Sequence, residues 1–318
     1  MVKKISAAIR WRIRYTVELF KRLKWNLKYK LSDSASEKIE GITLVVVGRN
    51  DNYGGDFSLR LKTTIDWNYN HLPNPELIYI EWNPIEDRPS DCDWIAERYP
   101  NSKCYIVPKE IHEMYCSNPK LPVMEYFAKN LGIKKASNDW VLLVNADVLL
   151  GLNTIKNIGH LNKKYVYSAH YNNINWDNQP IEERHLKDKS KVLTYYSSNT
   201  KLGGLVGNMI LAHKEMWFKA KGYDERLTDV RNGVDVNGLL QLFYCGALPM
   251  VLGDHYHLDH QESLIHGANT THGVSNRIIE VTTGTNVPYK NPEDWGLSAF
   301  NEVQRKSNIW EIKKERGN

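Results

Sequence analysis

Three carboxylates and two carboxamides in this 318-residue chain stand just after a short apolar run, where a strand would deliver side chains to a sheet edge. Asn50 and Asp51 follow Ile42 to Val47 (ITLVVV), Glu81 follows Leu77 to Ile80 (LIYI), and Asn145-Ala146-Asp147 follows Trp140 to Val144 (WVLLV). Gathered on one edge, Asp51, Glu81 and Asp147 would repel one another unless a cation or a ligand's donor groups offset them. That convergence marks a binding site. The plainer alternatives stay open: Asn145 to Asp147 as an ordinary strand-to-turn exit, and Glu81 as a strand-end carboxylate in water.

For these groups to converge, the apolar runs must lie side by side and point the same way. Each run is continuous, the pattern of a strand buried on both faces. Helical stretches alternate with them, around Phe57 to Trp67 and Val123 to Ala136, and Cys104 to Val107 reads as a short third strand. Repeated strand–helix units predict a mainly parallel sheet with helices on both faces and its ligands at the strands' carboxyl ends. Val236 to Tyr244 reads as a further helix, with Asp235 at its start as a cap or a functional acid. Asn291-Pro292-Glu293-Asp294 has the composition of a helix start and predicts a C-terminal helix to about Val303. The lysine-rich end is expected to fray, and Gly267 to Asn276 (GANTTHGVSN) to form a lid or an ordinary loop.

In order and spacing, these segments resemble the GT-A class of glycosyltransferases, particularly the family 2-like group, over roughly residues 41–262. Lys129 to Leu150 (KNLGIKKASNDWVLLVNADVLL) is similar to the family's helix–turn–strand leading into its DxD motif, with Asn145 in place of the first aspartate. Gly207-Asn208-Met209, Gly222-Tyr223-Asp224-Glu225, Asn232-Gly233-Val234-Asp235 and His255-Tyr256-His257-Leu258-Asp259-His260 resemble later motifs of the same family. The resemblance implies an α/β fold of the GT-A (nucleotide-diphospho-sugar transferase) type, a mixed, mainly parallel sheet flanked by helices. It implies transfer of a sugar from a nucleotide-sugar donor to a glycan or lipid-linked acceptor. A divalent cation, Mn²⁺ or Mg²⁺, would neutralise the departing diphosphate. Asp147 would bind it, with His257 as the late histidine and His255 and His260 as rivals. Arg49, Asn50, Asp51, Glu81 and Asn145 would contact the nucleotide, and Asp235 would take the acceptor's proton in an inverting reaction. Val234 stands where the family has a further acid. A nucleotidyltransferase, or a degenerate, non-catalytic protein of the same fold, is the alternative.

Charge divides the chain. Residues 1–30 hold ten of the 42 Lys and Arg and one of the 37 acids, leaving the rest with 32 basic and 36 acidic residues. A body that grips nucleic acid is thereby disfavoured. Ile5, Ile9, Ile13, Val17, Phe20, Leu23, Leu27 and Leu31 recur at helical spacing among the basic residues, the pattern of a helix lying on an anionic membrane surface. The expected organisation is a surface helix over 1–34, a catalytic domain over 35–265 and an acceptor-side segment over 266–318. The expected location is cytoplasmic and peripheral to the membrane. Cys92, Cys104, Cys116 and Cys245 form no CxxC pair and read as reduced thiols.

Overall fold

The computed structural model describes residues 16, 17, 20, 23, 24, 26–31, 36–176, 180–183, 186, 192–195, 207–229, 234–260 and 290–314. The chain runs through β1 (Glu37–Lys38), β2 (Ile42–Gly48), α1 (Phe57–His71), β3 (Pro75–Trp82), α2 (Asp91–Arg98), β4 (Lys103–Val107), α3 (Lys109–Tyr115) and α4 (Glu125–Lys135). It continues through β5 (Trp140–Val144), β6 (Val148–Leu150), α5 (Leu152–Ile158), β7 (His160–Leu161), β8 (Tyr165–Ile174), β9 (Val192–Tyr195) and β10 (Met209–His213). Then come α6 (Lys214–Ala220), α7 (Val234–Tyr244), β11 (Leu248–Leu258), β12 (Asn301–Lys306) and β13 (Ile309–Lys313).

Ten of these strands form one path in the order β12-β13-β4-β3-β2-β5-β10-β8-β11-β6, with β9 paired to β8. Neighbours β4, β3, β2 and β5 are mutually parallel, the arrangement expected of their unbroken apolar runs. Strand β10 reverses against β5, and β8 and β11 run parallel to each other beyond it. The result is a mixed, mainly parallel sheet flanked by helices, as the resemblance implies. Alternate residues feed opposite layers. Val45, Val47, Ile78 and Ile80 pack with Phe127 and Leu131 of α4, while Leu44, Val46 and Leu77 pack with Leu61 and Ile65 of α1. The four cysteines are free thiols.

The C-terminal segment departs from the expected helix. Asn291 caps nothing: its Nδ2 donates to the Lys221 carbonyl (2.7 Å) and its Oδ1 accepts from the Glu225 N–H (3.0 Å). Gly296 and Leu297 adopt φ of +68° and +58°, which ends any right-handed helix. The chain instead enters the β12–β13 hairpin, and β13 pairs in parallel with β4. The proposed lid, Gly267 to Asn276, lies outside the described residues.

Described residues between 16 and 31 are helical. Two side chains tie this helix to the body: Lys28 Nζ donates to the Pro249 carbonyl and the Tyr29 hydroxyl to that of Asn157, both at 2.9 Å. The apolar stripe faces away, with Phe20 67% and Leu31 74% exposed and Leu23 and Leu27 exposed between them. No described helix is long and apolar enough to cross a membrane.

Candidate active site

Strand β6 sets the geometry of the site. It pairs antiparallel with β11 so that Val148 faces His257, and the Leu258 N–H donates to the Asp147 carbonyl (2.9 Å). This register brings Asp147 to the carboxyl end of β11. Helix α1 holds the other side of the turn. Thr64 Oγ1 donates to the Ala146 carbonyl (2.6 Å), and Trp67 Nε1 to that of Leu150 (2.9 Å). Asn68 bridges β6 like a further strand, donating to the Val148 carbonyl (2.8 Å) and accepting from the Leu150 N–H (2.9 Å).

Asp147 Oδ2 then lies 3.5 Å from His257 Nε2 and 3.3 Å from His260 Nε2. One ligand atom from each of the three residues lies within 4.8 Å of the others. The His257 ring is oriented from behind. Asn173 Nδ2 donates to Asp259 (2.9 Å), so Asn173 presents its oxygen to His257 Nδ1 at 2.7 Å. That places a proton on Nδ1 and turns Nε2 toward Asp147, where it can donate to the carboxylate or, deprotonated, join it on a cation. Burial would raise the Asp147 carboxyl, but His257 and then His260 hold it well below the usual carboxylate range. An ionised carboxylate with two imidazoles, one of them oriented by a further hydrogen bond, fits a divalent cation that accepts mixed O and N ligands. Mn²⁺ suits that set better than Mg²⁺. His255 is not part of it: it is fully buried, neither ring nitrogen has a hydrogen-bond partner among the described residues, and burial pushes its pKa down to about 3.

Asp147 opens onto a cavity of about 980 Å³ at the carboxyl edge of β2, β3 and β5, whose lining includes Arg49, Asp51, Asn145 and Asp235. Asp235 enters from the first turn of α7, and Gly207 makes room for it. A Cβ on Gly207 would clash with that of Asp235. Burial pushes the Asp235 carboxyl up to about 6, against the pull of Lys129. Lys129, on α4, is buried, and its Nζ reaches Glu125 (2.6 Å), Asp235 (2.8 Å) and Asn145 (3.0 Å). Burial works against its charge, but Asp235 and Glu125 outweigh that and keep it protonated.

Of the residues expected at the nucleotide, Arg49, Asp51 and Asn145 line the cavity. Arg49 Nε donates to the Asn83 carbonyl (2.6 Å) and its NH1 lies 3.3 Å from Asp51, linking the exits of β2 and β3. Asn50 and Glu81 sit elsewhere. Asn50 is buried, accepting from the Ile85 N–H (2.6 Å) and donating to the Ile85 carbonyl (2.9 Å). Glu81 is fully buried, where its carboxylate accepts from the Asp91 N–H (2.8 Å) and the Ser90 hydroxyl at the start of α2. A helix N-terminus offers unpaired N–H groups and partial positive charge, so the carboxylate turns to it and away from the cavity. His260 joins His257 beside Asp147, although the resemblance implies one late histidine. Lys129 and Asn173 carry no sequence expectation of a role. A lysine among the apolar residues of Tyr126 to Ile133 is the signal for the first, while nothing local marks the second.

No family model and no curated protein matches this sequence. Among solved structures, the chain is similar to GalNAc-T7 determined with UDP, GalNAc and Mn²⁺, at 12% identity and a TM-score of 0.48, over 70% of this chain and 44% of that one. It is similar to the mannosyltransferase PcManGT from Pyrobaculum calidifontis in complex with GDP-Man and Mn²⁺, at 12% identity and 0.48, over 88% and 76%. It is similar to residues 1–349 of S. aureus TarS, at 11% identity and 0.43, over 69% and 60%. The chain thus spans about half the length of two of these three. Likenesses this distant decide nothing about function, which follows from the chain's own residues.

Proposed function

We propose that this protein is a nucleotide-sugar-dependent glycosyltransferase assisted by a divalent cation, with Asp235 as its base. One observation carries the reading: Asp147, backed by His257 and His260, and Asp235 open onto the same cavity at the carboxyl edge of a mainly parallel sheet. When bound, the cation supplies Lewis-acid stabilisation of the departing diphosphate. Asp147, His257 and His260 would hold it, and Arg49 and Asp51 line the wall available to the nucleotide. Asp235 accepts the proton of the acceptor hydroxyl as that oxygen bonds to the anomeric carbon. The bond from carbon to the diphosphate breaks with its electron pair leaving on the phosphate oxygen. Attack opposite the leaving group inverts the anomeric centre. Burial supports the role of Asp235, since a base with a pKa near neutrality is the more effective one.

The described helical residues between 16 and 31 support a peripheral placement on an anionic membrane and hence a lipid-linked acceptor. Their stripe of Phe20, Leu23, Leu27 and Leu31 is exposed and sits in the most basic part of the sequence.

The test is a panel of nucleotide sugars with purified protein and Mn²⁺, read as release of free nucleoside diphosphate. One donor should turn over, and Asp147→Ala should lower that rate by on the order of 10²-fold or more, the scale of losing charge stabilisation in a transition state. Undiminished turnover in Asp147→Ala would remove the metal assignment. Release of pyrophosphate when a nucleoside triphosphate and a sugar 1-phosphate replace the nucleotide sugar would make the protein a nucleotidyltransferase, and silence in both assays would leave a non-catalytic member of the fold.

A further inference from the structure

Lys129 has no part in the chemistry assigned above, yet it bonds both to Asp235, the proposed base, and to Asn145, which lines the same cavity. Its side chain is 2% exposed, and a lone ammonium so buried would shed its proton. It has three N–H groups and meets three acceptors on three segments: Glu125 on its own helix, Asp235 on α7, and Asn145 at the exit of β5. An ammonium only donates, so the Asn145 atom facing it is the carbonyl oxygen. The amide nitrogen therefore turns the other way, where it has no acceptor among the described residues, and Asn145 lines the cavity.

We propose that Lys129 is a positioning residue that holds the Asp235 carboxylate in place and turns the Asn145 amide so that its N–H groups face the phosphate or ribose oxygens of the donor. The inference rests on the transferase reading and on Asp235 as its base. It accounts for an asparagine where the resemblance implies an aspartate. A carboxylate at 145 would be a third anion on one ammonium, and it would offer only lone pairs to an anionic ligand.

The groups acting on Asp235 are Lys129 and Glu125 from α4, Asp147 from the turn after β5, and the Tyr223 phenol from the turn after α6. Only Lys129 among them is a cation. Replacing it should therefore raise the pH at which Asp235 ionises, by about one unit or more.

The experiment measures kcat/KM for the donor against pH, with Mn²⁺, in the full-length protein and in Lys129→Gln and Lys129→Met. The acid limb should move up by about one pH unit or more, and donor KM should rise roughly tenfold as the Asn145 amide loses its orientation. A lower plateau with an unmoved limb would mean that Lys129 only supports the fold, and would overturn the proposal. Asp235→Asn separates the two levels: if it keeps most of its activity, the base assignment fails whatever Lys129 does. A fold readout stands beside these. Lys129→Met/Asp235→Asn should melt above Lys129→Met, because one carboxylate fewer is stranded without its cation. Should Lys129→Met not fold, recovery of folded double variant counts as that result, and equal melting or equal failure counts against the pairing.

Discussion

Asn173 is not one of the three residues proposed to hold the cation, yet it orients one of them. Through Asp259 its amide is fixed, and through its oxygen the His257 ring is fixed. Losing such an outer partner typically weakens metal binding by about 10–100-fold. Asn173→Ala should therefore raise the Mn²⁺ dissociation constant by that factor in calorimetric titration while the fold survives. An unchanged constant would show that His257 needs no orienting partner. The same scale explains which residues were legible. Asp147 and His257 could be singled out because each stands near a strand end, and the fold brings them within 3.5 Å of each other. Glu81 follows the same local rule, and its fate differs only because Ser90 and Asp91, on the next helix, offer it better donors. Nothing within a few residues of Glu81 distinguishes the two outcomes. Lys129 was hidden for the opposite reason. Its place among the apolar residues of Tyr126 to Ile133 hints at burial but not at its partners, and only the tertiary meeting of Glu125, Asn145 and Asp235 makes that burial tolerable.

Among the elements, β6 is short and decisive. With three residues it pairs to β11 on one side only, and α1 completes the other side through Asn68. A slip of one residue would turn its alternate side chains to the wrong faces and carry Asp147 away from the end of β11. Asn68→Leu leaves a buried carbonyl and a buried N–H without partners, at about 1–3 kcal/mol for each group. Scanning calorimetry should show the melting temperature falling by roughly 4 °C or more, with a parallel loss of Mn²⁺ affinity. A variant that melts like the parent would mean that β6 needs no help from α1. The parallel core strands were legible because burial on both faces demands unbroken apolar runs. The β12–β13 hairpin was not, because Asn291-Pro292-Glu293-Asp294 satisfies the local signals for a helix start. Tertiary hydrogen bonds from Asn291 and the positive φ at Gly296 and Leu297 override them.

At the scale of the molecule, charge is divided between a basic segment over residues 1–30 and a mildly acidic remainder. Phe20, Leu23 and Leu27 changed together to Gln should abolish co-flotation with vesicles rich in anionic lipid and leave donor hydrolysis in solution intact. Raising the salt should weaken the flotation of the unchanged protein, since exposed charges lose their reach beyond about 10 Å at 0.1 M. Retained flotation of the triple variant would mean that the stripe does not enter the bilayer. The helix is fastened at Pro249, and His257 stands eight residues further along the same strand, about 26 Å away at the usual rise of an extended chain. On the proposed membrane placement, with the strand leading away from the surface, a lipid headgroup carrying a single short stub would not span that gap. Acceptors would be selected by height, with only those whose growing tip stands well clear of the bilayer arriving where the bond is made.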